Sequence, residues 1–178
     1  MIAVSRIQCE TVGKDGVKNK IVCGLVAAVC LGSGSVVADE EAMFISVKRM
    51  TMETAMAVAK GAIDACREKG IQIAATVVDR DGTVQVTLRD TIAAPLTLNI
   101  SRQKAYTAAN FNAATSAMED RGNAAVGRVD GLVMSAGGVP IQVGGSLLGA
   151  VGVSGAPSGE TDEQCANAGV EAVAEDLE

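Results

Sequence analysis

The sequence contains no histidine and no tryptophan, and its aromatic residues are Phe44, Tyr106 and Phe111, 2% of the chain. Without histidine there is no Ser-His-Asp triad, no Cys-His dyad and no imidazole ligand for a metal. Three aromatics are too few for a base-stacking platform, and a net charge of −6 argues against a phosphate-backbone binder. Phosphate loops are missing too. Gly137-Gly138 and Gly144-Gly145 are not followed by Lys-Ser/Thr, and no G-x-G-x-x-G run opens a helix. Ser154, between Val153 and Gly155, sits like a nucleophile on a turn but has no base to serve it. The seven methionines form no cluster; Met52 and Met56 share a helix face and read as core filler.

Residues 1–38 read as an address. Lys18 and Lys20 precede an uncharged apolar run, Ile21–Leu31, and Gly32-Ser33-Gly34-Ser35 breaks it. Val36-Val37-Ala38 then offers a small-residue cleavage site ahead of Asp39-Glu40-Glu41. This is the pattern of a secretory signal peptide, and the run is too short for a membrane anchor. The polar stretch 1–16 is foreign to such signals, which suggests translation starting at Val17. The expected organisation is an extension and removed signal over 1–38, a lead-in over 39–50 and a single domain over 51–178. The expected location is the periplasm or the exterior, with no membrane span after cleavage. The remaining 140 residues hold 11 Lys and Arg against 19 Asp and Glu. Cys9, Cys23 and Cys30 leave with the signal, so Cys66 and Cys165 are the candidate disulfide in an oxidising compartment.

The mature part alternates helical and strand patterns. Thr51 opens a helix whose Ala55, Ala59, Ile63 and Cys66 make one apolar face, and Gly70 stops it. Ile71–Asp79 reads as a buried strand, Arg80-Asp81-Gly82 as a hairpin turn, and Thr83–Arg89 as an alternating strand. A second helix is expected over Leu96–Asn110 and a short third over Ala113–Arg121. Three strands follow, Leu132–Ala136, Val139–Val143 and Ser146–Ser154. Gly149, Gly152 and Gly155 mark close approach of another backbone or a ligand. Thr161 and Gln164 suggest a capping box for a last helix reaching Leu177. The class is α+β: a five-stranded, largely antiparallel sheet covered by helices. The first and last helices are expected on one face. Antiparallel packing is expected to part Cys66 from Cys165, and parallel or steep packing to join them, so the pairing stays open.

The candidate chemistry lies in the second helix and just beyond it: Arg102, Lys104, Tyr106, Thr107, Phe111 and Thr115. Arg102 and Tyr106, four apart, share a helix face, and a cation beside an aromatic suits an amphiphilic anionic ligand. The plainer alternative buries Tyr106 and Phe111 and leaves Arg102 and Lys104 solvated. Asp79, Asp81 and Asp90 could be grouped as a metal cluster, but Asp79-Arg80-Asp81-Gly82 is better read as turn chemistry.

Four stretches in order carry a resemblance: Val77–Gly82, Ser101–Ala109, Ala136–Ile141 and Gly149–Ala156. Together they resemble the GlcG/HbpS family of haem-binding-type domains, related to the C-terminal domain of PduO-type proteins. The resemblance spans about residues 51–175. It implies a profilin-like three-layer domain and homo-oligomers, commonly octamers. For exported members it implies haem binding and redox sensing, sometimes beside a sensor kinase. For cytoplasmic members it implies roles in glycolate and diol metabolism. Some relatives use a histidine on iron, which this chain lacks. The family's threonine near the Lys-Ala-Tyr-Thr motif would fall on Thr107 or Thr115, with Tyr106 as another ligand type. Arg102, Lys104 or Arg121 would meet the haem propionates. The leading expectation is an exported haem or tetrapyrrole binder for sensing, buffering or delivery. One rival is an accessory enzyme acting on haem, peroxide or a small oxidised metabolite through Arg102, Asp79 or Asp90. The other is a ligand-free oligomeric module that binds a protein partner.

Overall fold

The computed structural model describes residues 43–177. The expected signal segment, with Cys9, Cys23 and Cys30, lies outside them. Among the described residues no helix is long and apolar enough to cross a membrane.

Helix α1 spans Met52–Glu68. The Thr51 hydroxyl accepts the Thr54 N–H at 3.2 Å, Glu53 lies in the first turn and Arg67 in the last, so both ends suit the helix dipole. Strands β1, Ala74–Asp79, and β2, Val84–Arg89, follow. Their turn is built by Asp79, whose Oδ1 accepts the N–H groups of Asp81 and Thr83, both at 2.9 Å. Asp79 and Asp81 are further tied by Arg49. Among the described residues no group of three or more acidic or thiol side chains is placed to hold a metal ion. The bonds made by Asp79 and Arg49 build Asp79 and Asp81 into the turn, as the turn reading has it.

Helix α2 covers Leu96–Phe111 and ends on Asn112 in a left-handed conformation, φ 49°. The short segment expected as a third helix is a 3-10 run, Thr115–Arg121. Strands β3, Gly138–Val143, and β4, Ser146–Ser154, precede helix α3, Gly159–Glu171. That helix is capped by Ser158, whose hydroxyl accepts the Thr161 N–H at 3.2 Å, rather than by Thr161. It ends before Leu177, and a short 3-10 turn, Ala174–Asp176, follows.

The sheet has four strands in the order β2-β1-β4-β3, every pair antiparallel. The expected fifth strand, Leu132–Ala136, does not form. Side chains take its backbone donors instead: the Val133 N–H bonds the Thr107 hydroxyl at 2.9 Å and the Ala136 N–H bonds Glu119 at 2.8 Å. Backbone groups satisfied in this way have no need of a ladder partner.

Alternation along the strands divides the core. Val77, Val151 and Val153 point to one face, where they pack with Val58, Ala62, Ile63, Cys66 and Ala166 of α1 and α3. Val78 and Ala150 point to the other, against Ala105, Ala108 and Ala109 of α2. The result is α1 and α3, sheet, α2. Small residues set the spacing. A Cβ on Gly152 would lie 2.0 Å from the Ser101 carbonyl oxygen of α2, and one on Gly169 2.5 Å from the Val58 carbonyl oxygen of α1. Gly152 of β4 therefore marks a backbone rather than a ligand.

Helices α1 and α3 run antiparallel. Gly61 meets Ala172, and farther along Lys69 donates to Gln164 at 2.6 Å. In this arrangement the late end of one helix lies beside the early part of the other, so the expectation that antiparallel packing parts the cysteines had the geometry reversed. Cys66 and Cys165 form a disulfide, with their Cα atoms 5.6 Å apart and both residues fully buried.

Candidate functional site

The α2 sequence repeats buried positions at three- and four-residue steps: Thr97, Ser101, Lys104, Ala105 and Ala108. These dock the helix on the sheet. The Ser101 hydroxyl lies 2.8 Å from that of Thr76 in β1, and both residues are fully buried. Gly138 of β3 comes so close that its Cβ would lie 2.5 Å from the Lys104 carbonyl oxygen.

Lys104 is thus an inward residue, 3% exposed. Its ammonium meets Asp162 of α3 at 2.8 Å. The other Asp162 oxygen accepts the Ala156 N–H at 2.9 Å. Burial pushes the Asp162 carboxyl above its ordinary range, and the Lys104 ammonium opposes that shift. This pair joins the two outer layers past the end of the sheet. Sequence reading placed Lys104 on the surface, yet its three-residue step from Ser101 puts it on the inward stripe.

Both candidate threonines are also internal and fully buried. Thr107 donates to the Gln103 carbonyl at 2.7 Å and accepts the Val133 N–H at 2.9 Å. Thr115 accepts the Gly138 N–H at 2.8 Å. Their hydroxyls hold the loop and the start of β3 in place, so neither is presented to a ligand from outside.

Arg102, Tyr106 and Phe111 remain accessible. Arg102 is exposed, with its guanidinium donating to Asn99 at 3.2 Å. Tyr106 and Phe111 are half-buried. The Tyr106 ring lies between the β1–β2 turn and the loop before β3: a Cβ on Gly82 would come within 2.6 Å of Cδ2, and one on Gly131 within 3.9 Å of Cε1. Its phenol oxygen makes no hydrogen bond among the described residues. Arg121 is exposed on the 3-10 run. Two depressions of about 180 and 270 Å³ lie elsewhere, one beside Arg67 and Arg89 and one between Glu53 and Val173.

The four stretches singled out in the sequence converge on α2. The turn after β1 walls Tyr106, β4 touches Ser101 through Gly152, and the start of β3 touches Lys104 through Gly138. Residues 50–171 match the family described as haem degrading protein HbpS-like. The chain belongs to the HbpS-like family. A solved structure of HbpS is 36% identical and covers 76% of this chain and 97% of its own, with a TM-score of 0.70. A double mutant of HbpS from Streptomyces reticuli matches at the same identity, covering 76% of this chain and 94% of that one, TM-score 0.69. A PduOC structure solved as a complex with haem shares the fold at 23% identity, covering 70% of this chain and 95% of that one, TM-score 0.65. A search of curated proteins returns no match. The HbpS-like assignment thus rests on nearly the whole of the described residues.

Proposed function

We propose that this chain is an exported haem-binding protein of the GlcG/HbpS type that holds haem or a similar tetrapyrrole reversibly, for sensing, buffering or delivery. Membership of the HbpS-like family over residues 50–171 carries the reading. The residues present fit the group in part. Thr107 and Thr115 do not fit as iron ligands, because their hydroxyls already serve internal hydrogen bonds. Lys104 does not fit as a propionate partner, because Asp162 holds it inside. Tyr106 fits: its side chain is held at a surface edge, its phenol oxygen makes no hydrogen bond among the described residues, and a tyrosine oxygen would be able to serve haem iron. Arg102, one turn away, suits a propionate, and Phe111 offers apolar surface.

Among the described residues Arg102 is exposed and Tyr106 and Phe111 are half-buried, whereas a ligand of this size is held in a cleft of roughly 300–1,000 Å³ or more. The reading therefore includes a homo-oligomer, of the octameric kind the resemblance implies, in which a second copy closes over α2. A profilin-like layering fits the α–sheet–α arrangement. The signal pattern over 17–38 and the Cys66–Cys165 bond support export into an oxidising compartment. There a sensor kinase would be a partner.

Haemin titration of the mature protein tests the reading. A Soret shift is expected, altered in position by Tyr106→Phe and weakened about tenfold or more by Tyr106→Ala with Arg102→Ala. Thr107→Val is expected to lower the melting temperature and leave the Soret position unchanged. No Soret shift at protein well above micromolar concentration overturns the proposal.

The family's description as haem degrading favours a second reading, that the chain also acts on bound haem. It predicts that the Soret band of the complex bleaches faster under peroxide than that of free haemin, with release of iron. Equal rates would leave binding alone.

A further inference from the structure

Helix α1 is preceded by a run that the fold leaves unused. Residues 44–49 belong to no helix or strand, make no backbone hydrogen bond among the described residues, and are all exposed. Phe44 and Ile45 are each 82% exposed and Val47 39%. Phenylalanine, isoleucine and valine favour strands. The root of the run is tied down, because Arg49 bonds Asp79 and Asp81 of the β1–β2 turn. Three large apolar side chains within four positions of so free a run mark an interaction surface.

The sheet ends on two edges. Strand β3 carries Pro140, which has no N–H to give a neighbour, and its pairing shifts register between Ile141 and Gln142. Strand β2 carries no proline, and its register with β1 is unbroken from Val86 to Arg89. It pairs only with β1, so its outer backbone groups find no backbone partner among the described residues. Val86 and Leu88 lie opposite Val77 and Ala75 on the α1 side, where Leu88 and Ile63 line a depression of about 180 Å³. Thr87 and Arg89 point to the α2 side, and Arg89 there donates to the Ala93 carbonyl and meets no carboxylate among the described residues.

We propose that residues 44–48 of a second copy of this chain add to the free edge of β2 as an antiparallel strand, reciprocally about a two-fold axis. Face and charge agree with this. Ile45 opposite Leu88 and Val47 opposite Val86 set both apolar side chains on the α1 side, with Ile45 over the depression, and the same register brings Ser46 opposite Thr87. The run is preceded in sequence by Asp39-Glu40-Glu41 and ends on Lys48-Arg49, while β2 follows a turn holding Asp79 and Asp81 and ends on Arg89. Antiparallel order therefore brings unlike charges together, and parallel order would bring like charges together. The interface lies at the sheet edge, apart from the α2 face, and does not depend on haem.

The test uses the mature protein without haem. Ser46→Cys and Thr87→Cys are prepared separately, mixed and oxidised. Directly opposed residues of an antiparallel pair have Cα atoms within disulfide reach, and the native cysteines are already paired and buried. A disulfide-linked heterodimer is expected in the mixture, at about tenfold or more the yield of covalent dimer from either variant alone. Sedimentation of Ile45→Asp with Val47→Asp supplies the second measurement. Both positions are exposed in the single chain, so its circular dichroism should match wild type, while association weakens about a hundredfold or more and the particle mass falls by at least half. Absence of the heterodimer overturns the proposal, as does wild-type mass in the double aspartate variant. A cross-link that forms only when one chain carries both cysteines would place the run on its own β2 and overturn it as well.

Discussion

Breaking the bond between Cys66 and Cys165 offers the sharpest test of how this fold is held. The two residues are 99 positions apart in sequence. A cross-link closing a loop of about 100 residues removes denatured-state entropy worth about 4.7 kcal/mol. Domains of this size have only about 5–15 kcal/mol in hand, so the bond is a large share of the total. Close packing of Gly169 against Val58 and Ala62 also joins α1 and α3, apart from the sulfurs. The double variant Cys66→Ala with Cys165→Ala should therefore fold and melt roughly 10–20 °C lower than the oxidised protein. Thermal denaturation followed by circular dichroism reads this directly, with chemical denaturation giving the free energy. Both residues are fully buried, so reductant should act slowly on the native protein and quickly in denaturant. A melting temperature within about 3 °C of wild type would show that the loop-closure argument fails here. Free thiols titrating in protein purified from an oxidising compartment would refute the bond itself.

Asp90 governs an acid transition. Arg67 beside it holds its carboxyl down, to about 2, with the Thr91 N–H adding to the effect. A depressed folded value means that the ionised form favours the fold. Its contribution is complete above the unfolded value of about 3.9 and is lost as pH falls through about 2. Stability followed from pH 5 to 2 should decline in that window, and Asp90→Asn should flatten the decline. Breaking the buried pair with Lys104→Met is expected to cost about 3–5 kcal/mol because it strands Asp162, while Lys104→Met with Asp162→Leu should recover most of that loss; a double-variant melt no better than the single would count against it. Gly152→Ala places a methyl 2.0 Å from the Ser101 carbonyl oxygen, so α2 must lift from β4. A loss of roughly 2–3 kcal/mol in urea denaturation is expected, and a neutral result would show that α2 sits more loosely than described.

Much of the fold was legible because it follows from short-range chemistry. Thr51, Gly70 and Gly82 mark where chain direction changes, and alternating Val84, Val86 and Leu88 mark a strand with two unlike faces. The misread parts share a physical reason. Leu132–Ala136 carries an apolar strand-like pattern, but whether such a run joins a sheet depends on who takes its N–H groups. Here Thr107 and Glu119 take them from far along the chain. Lys104 was misplaced because charge was allowed to outweigh periodicity. Its step from Ser101 points inward, and only Asp162, 58 residues on, makes that tolerable. Ser158 took the cap from Thr161 because the two hydroxyl residues, three apart, compete for one helix start. The cysteine pair needed the sense in which α1 and α3 cross, which no local pattern carries.

The motif residues that carried the family resemblance turn out to divide by face, and the division has a consequence for function. Ser101, Lys104, Ala105 and Thr107 are spent on docking α2 against β1, β3, β4 and α3, so their pattern reports the fold first. A chain could retain all of them and still have lost its ligand. Arg102 and Tyr106, interleaved among them on the same helix, contribute little to that docking. If the proposed haem reading holds, they are the positions where ligand choice can change without cost to the core. Fixing the inner stripe also fixes the pose of the outer one, because a helix seated backbone-to-backbone at Gly152 cannot rotate without a clash. The rigid seat thus holds Tyr106 against the β1–β2 turn at one height. A ligand bound there would meet a pre-set edge rather than a surface that must organise around it.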